Sequence, residues 1–178
     1  MRKLVQIKAS LILAGAFLIS SVAFSQKSAK PIASPRDSVS GKVGNASIKI
    51  AWGSPGVKGR KIWGGLVPYN KIWRTGANPV TTFQTSKDIK IEGKTLHAGK
   101  YSIFTIPGEK EWKIIFNSQT GQWGIKDDGS ANDNPVKDVL VVVVKPMKSK
   151  EFSERLTFKI DNGFVLLWEN LAVPVKIK

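Results

Sequence analysis

Between Gly53 and Asn78 one Gly- and Pro-rich stretch carries Arg60, Trp63, Tyr69, Trp73, Arg74 and Asn78. Arginine presents a planar fork of donors that matches carboxylate, phosphate or sulfate. Asparagine both donates and accepts. Aromatic faces beside such groups offer what a sugar or an anionic glycan needs, so these six residues are the candidate ligand-binding set. A structural role competes with that reading. Tryptophans in a small β-domain commonly fill the core, and a buried arginine commonly pairs with a carboxylate, here Glu169 or Asp88. The glycines do not form a phosphate loop, because Gly-x-x-x-x-Gly-Lys-Ser/Thr is absent and no helical pattern follows.

Catalysis has less to work with. The chain has no Cys, which excludes disulfides, Cys-ligated zinc, iron–sulfur clusters and a thiol nucleophile. Its one His, His97, could act as a general base near neutral pH. It lies in a turn before Ala98-Gly99, where an exposed, unpaired side chain is expected, and no Gly-x-Ser-x-Gly elbow is present. Asp127 to Asn134 supply oxygen ligands of the kind calcium prefers. The EF-hand pattern fails, with Asn132 where Gly is needed and Asp138 where the bidentate Glu should stand. That segment reads as a solvated loop. Asp88, Glu92 and Glu169 show no spacing that implies a glycosidase carboxylate pair. No catalytic residue, metal or cofactor is assigned.

The elements that must hold the candidate residues are strands. Ile48, Ile50 and Trp52 alternate with Ser47, Lys49 and Ala51, the period of a half-buried strand. Short strands are expected at Val80–Thr85 and Ile89–Glu92, and a pair at Tyr101–Ile106 and Trp112–Asn117 around the Pro107-Gly108 turn. Val139–Val144 is a continuous apolar run, β-branched at all but Leu140 and expected to be covered on both faces. Leu156, Phe158 and Ile160 lead through Asp161-Asn162-Gly163 into Phe164, Leu166 and Trp168, a strong hairpin signal. Pro174 lacks a ladder donor, which places the last strand at an edge. Helical periodicity is missing, with at most a turn or two at Lys148–Glu154. The fold class is therefore all-β: a single antiparallel β-sandwich or jelly-roll-like domain with a long Gly/aromatic loop, a closed barrel being the alternative.

The first residues read as an address. Arg2, Lys3 and Lys8 precede an apolar run, and Ala23 and Ser25 suit a cleavage site before Gln26. This is the pattern of a signal peptide over residues 1–25. The apolar run falls short of the ~20 residues a membrane span needs, and no Cys follows to carry a lipid. Removing those 25 residues and their three basic side chains from 178 residues and +15 leaves 153 residues and +12. Gln26–Ser40 reads as an amino-terminal tail, flexible over 26–36, before a single domain at 37–178. The basic residues are dispersed over outward strand positions such as Lys49, Lys90, Lys113 and Arg155. Such a spread favours solubility and salt-sensitive contact with polyanions. A base-reading motif is not visible, so nucleic acid is not an expected partner. An anionic envelope component is.

Gly56–Tyr69, Trp73–Asn78, the run Leu96-His97-Ala98-Gly99-Lys100-Tyr101-Ser102-Ile103-Phe104-Thr105-Ile106-Pro107 and Gln122-Trp123-Gly124 carry a family resemblance. The chain resembles, from about Pro35 to Lys176, the exported bacterial family called domain of unknown function 2911, common among Bacteroidetes. The resemblance implies export and one domain. It brings no established activity and no assigned catalytic residues. His97 stands where that family usually has Pro, and the Asp127–Asn134 loop is unusually acidic, so a family-wide role for His97 is not expected. The combined expectation is a soluble exported protein, periplasmic or secreted. It would be a non-catalytic binding module for a glycan or an anionic envelope component. An exported hydrolase of glycan or ester bonds, and a structural envelope protein, are the alternatives.

Overall fold

Alternation of apolar and polar side chains sorts most of the chain into two facing layers. The computed structural model describes residues 33–178. The expected signal peptide at 1–25 and tail residues 26–32 lie outside the described residues. The strands are β1 (Arg36–Val43), β2 (Ala46–Gly53), β3 (Thr81–Thr85), β4 (Ile89–Ile91), β5 (Lys94–Leu96), β6 (Gly99–Ile106), β7 (Trp112–Asn117), β8 (Asp138–Val144), β9 (Met147–Asp161) and β10 (Gly163–Lys176). One six-stranded antiparallel sheet runs β1-β2-β3-β6-β7-β8. The long β9–β10 hairpin and the short β4–β5 hairpin form the opposing layer, joined where Ile91 of β4 pairs with Ile177 beyond β10. The chain is thus an all-β, sandwich-like domain.

The core lies between the layers. Ile48, Ile50 and Trp52 from β2 meet Phe83, Ile103, Trp112, Ile114 and Phe116 from neighbouring strands. Leu156, Phe158, Phe164, Leu166 and Trp168 close over them from β9 and β10. Burial of each large side chain stabilises by roughly 1.5–3 kcal/mol. A second, smaller cluster of Val80, Phe104, Ile115 and Ala131 sits apart. Phe104 and Ile115 face outward from the sheet, and the loops that cross them supply Ile72 and Ala131.

The expected Asn-Gly hairpin forms at β9–β10, with Asp161 opposite Gly163. Gly163 has φ 144°, and a Cβ there would fall 2.1 Å from the Val175 carbonyl oxygen. Only glycine fits both demands.

Three expectations change. β1 begins at Arg36, so residues 36–40 of the expected tail are strand. Their polar outward faces hid a weak alternation in which Val39, Gly41 and Val43 turn inward. Lys148–Glu154 is not helical but belongs to β9, where Leu171 pairs with Lys148 and Glu169 with Ser153. β8 is covered on one face only. Leu140, Val142 and Val144 are buried, whereas Val139, Val141 and Val143 are exposed. It ends the six-stranded sheet, so the valine run reflects β-propensity more than two-sided burial.

Candidate functional site

The long loop between β2 and β3 is tied down at each of its landmarks. Trp73 and Thr105 exchange backbone hydrogen bonds of 2.8 and 2.9 Å, which extends the sheet beside β6. Asn70 N–H donates to the Pro107 carbonyl, and Ala77 N–H to that of Gly53. Thr81 Oγ1 donates to the Thr75 carbonyl at 2.7 Å. At its start, the loop pairs with β9. The β9–β10 register shifts between Leu167 and Glu169, a bulge that frees residues 154–156 to face the loop. Val57 N–H then donates to the Glu154 carbonyl and Leu156 N–H to that of Pro55.

Four tryptophans meet beneath this loop. Trp63 is 9 % exposed and packs edge-on to Trp112 at 5.0 Å and to Trp168 at 5.6 Å. Trp73 stacks on Trp168, with centroids 5.9 Å apart and planes 15° from parallel. The indole N–H groups of Trp63, Trp112 and Trp168 are buried and find no acceptor among the described residues. Trp52 Nε1, by contrast, donates to the Leu156 carbonyl at 2.9 Å.

Above the stacked pair opens a cleft of about 600 Å³. Trp73 and Trp168 form part of its wall, with Leu66, Pro68 and Ile72 as apolar lining. Lys58, Arg60, Lys71 and Arg74 supply four cations. Among the described residues no Asp or Glu lines it. Two acids touch lining residues: Asp128 Oδ1 accepts the hydroxyl and the N–H of Ser130 at 2.6 and 2.9 Å, and Glu154 Oε1 accepts the Lys58 backbone N–H at 3.0 Å. Neither makes an ion pair; among the described residues the one ion pair is His97–Asp88.

Of the six sequence candidates, Arg60, Trp73 and Arg74 line the cleft. Arg60 is held by its own loop, donating from Nε to the Val57 carbonyl and from Nη2 to that of Gly56. Arg74 is half-buried. Its Nε is buried without an acceptor among the described residues, and burial lowers its pKa from the ordinary arginine value. It meets neither Glu169 nor Asp88 in an ion pair. Its aliphatic stem lies on Gly124, where a Cβ would come within 2.2 Å of Arg74 Cδ. Trp63, Tyr69 and Asn78 stand outside the lining. Trp63 is core, and Tyr69 covers Gly64. Asn78 adopts φ 62° and donates from Nδ2 to the Ser34 carbonyl. Lys58, Lys71, Ile125 and Trp168 join the cleft without any signal in their own spacing, and Gly129, Ser130 and Ala131 come from the segment that reads as a solvated loop. Trp168 in particular reads as an ordinary inward strand residue.

Of the other sequence features, His97 is not in the lining, whereas the Asp127–Asn134 segment contributes Gly129, Ser130 and Ala131 to it. His97 is exposed, as expected, but it is paired: Nδ1 lies 2.8 Å from Asp88 Oδ2, while Asp88 Oδ1 accepts the Ala98 N–H at 2.7 Å. That second bond, then His97, holds the Asp88 carboxyl below its ordinary value. The Asp127–Asn134 segment is a self-bonded turn in which Asp128 Oδ1 accepts both the N–H and the hydroxyl of Ser130. Those two bonds, the hydroxyl first, lower the Asp128 pKa. Among the described residues no group of three His, Cys, Asp or Glu stands close enough to hold a metal ion. No helix of the described residues is long and apolar enough to cross a membrane.

A family model described as a protein of unknown function, DUF2911, matches residues 34–177. No curated protein and no solved structure matches the chain.

Proposed function

The chain belongs to the DUF2911 family, and from that premise we propose that it is an exported, non-catalytic binding module whose cleft takes an acidic glycan or another anionic envelope component. One observation carries the reading. Among the described residues four cations and no carboxylate line an apolar cleft, and the half-buried Arg74 there is in no ion pair. A carboxylate or sulfate in the cleft would give its guanidinium a charge-assisted hydrogen-bond partner. The ring faces and apolar lining then suit the body of the ligand, as in most small-molecule sites. Export is proposed from the amino-terminal pattern of Arg2, Lys3 and the apolar run after Lys8. The hydrolase alternative finds no Asp, Glu or His among the described residues that line the cleft to serve as acid or base.

Calorimetric titration with uronate-bearing and neutral oligosaccharides of equal length tests this. The acidic sugars should bind and the neutral ones bind at least tenfold more weakly, a difference of about 1.4 kcal/mol. Trp73→Ala and Arg74→Ala should each weaken the acidic ligand while the protein stays folded by circular dichroism. Unchanged affinity in both folded variants would assign binding elsewhere.

A further inference from the structure

A second depression of about 280 Å³ lies beside the first, lined by Arg36, Lys49, Lys100, Thr82, Gln84 and Gln122 among others. Like its neighbour it has cations and, among the described residues, no acid in its lining. Its floor is the outer face of the sheet, where Lys49, Gln84 and Lys100 stand in one row across β2, β3 and β6.

The two depressions share a wall. Ser34 lines the first and Arg36 the second; Ala77 lines the first and Pro79 the second; Ile125 lines the first and Gln122 the second. Three chain segments therefore cross from one to the other, and the residues between them are Pro35, Asn78 and Trp123-Gly124. The crossing is knit together. Asn78 Nδ2 donates to the Ser34 carbonyl at 3.0 Å, Gly124 N–H to the Asn78 carbonyl at 3.0 Å, and Val80 N–H to the Gln122 carbonyl at 3.3 Å. Arg36 Nη1 reaches the Pro79 carbonyl at 3.3 Å. Trp123 stands on this wall 54 % exposed, its carbonyl held by Asn132 Nδ2. Its side chain lines neither depression; exposed on a segment that runs between them, it can stack on a sugar ring that passes from one to the other.

We propose that the two depressions are successive subsites for one linear acidic glycan, which enters the Arg74 cleft with one unit, crosses Trp123 and runs over the Lys49–Gln84–Lys100 row. The proposal rests on the reading of the first cleft given above. It adds that the ligand is a chain and not a single anionic sugar. A chain is favoured because a small ligand in the first cleft leaves Trp123 and the row unused. Occupying both subsites with one molecule converts the second contact into an intramolecular one.

The experiment is a titration of the purified protein with oligogalacturonates from disaccharide to octasaccharide. Affinity should rise with length and then level off. In Lys49→Gln/Lys100→Gln, both exposed side chains, the octasaccharide should weaken about five- to tenfold, the scale of two exposed ion pairs. The disaccharide should stay within about twofold of its affinity for the unaltered protein. Trp123→Ala should act like the lysine pair, and Arg74→Ala should weaken every length. Equal affinity for disaccharide and octasaccharide, with Arg74 still required, overturns the second subsite and leaves the first cleft standing. No binding by any length overturns both. Tighter binding of a single-stranded DNA oligomer, with the same dependence on Lys49 and Lys100, overturns the glycan assignment.

Discussion

Arg74 shows how much one side chain can carry. From sequence its fork of donors suits a core ion pair first and a ligand second, yet among the described residues it pairs with neither Glu169 nor Asp88. The tryptophans divide in the same way. Trp52 has an acceptor in the Leu156 carbonyl, whereas Trp112 Nε1 has none among the described residues. Both are 1 % exposed, so Phe at either position removes similar volume. Trp52→Phe should therefore cost about 1 kcal/mol more than Trp112→Phe, the net worth of one buried hydrogen bond, in urea melts of the two variants. Asp88 gives a pH dependence. Its folded pKa lies below the unfolded one, chiefly through the Ala98 N–H and then His97. The ionised carboxylate thus stabilises in full above the ordinary carboxylate range, and that stability is lost as pH falls through the folded value. Asp88→Asn should flatten the acid limb of melting temperature against pH, measured between about pH 2 and 7.

Strands and turns place these side chains, and their irregularities matter most. The bulge in β9–β10 lets residues 154–156 pair with Pro55–Val57, which orients the start of the loop that bears Arg60. It falls beside Trp168, the partner on which Trp73 stacks. The Gly163 turn closes the same hairpin. Gly163→Ala adds a Cβ 2.1 Å from a backbone oxygen at φ 144°, which no side-chain rotation relieves. A loss of about 2 kcal/mol or more is expected in equilibrium unfolding. Because that hairpin also carries Trp168, the variant should weaken acidic-sugar binding as well.

Charge acts over the full surface. With 28 basic against 13 acidic residues, the protein attracts polyanions wherever they approach, with a range set by salt. The half-buried Arg74 is screened less than the exposed lysines. Raising the ionic strength from about 0.01 M to 0.15 M shortens the Debye length from about 30 Å to 8 Å. Association rates with acidic glycans should fall steeply over that range, in stopped-flow fluorescence of the tryptophans. Dissociation from the cleft should change far less. Equal sensitivity of both rates would mean that binding is a general surface effect and not the property of a cleft.

The amino-acid order alone determined most of the strands and which of their side chains point inward, while a sandwich and a closed barrel both stayed open. Alternation at Ile48–Trp52 and Leu156–Ile160, and Asn162-Gly163 between two such runs, are local signals that need no partner to be read. It also pointed to the stretch holding Arg60, Trp73 and Arg74 through unusual composition. The identity of each neighbour was not available locally. Trp168 faces Trp73 only because the hairpin layer closes over the sheet, and β8 has an open face only because it ends that sheet. The acid-free lining is likewise a sum over residues from Ala33 to Trp168. Periodicity says which way a side chain points, whereas strand order and long-range closure decide what it meets. The cleft belongs to the second kind of information, and so does the wall that Trp123 shares with the basic row beside it.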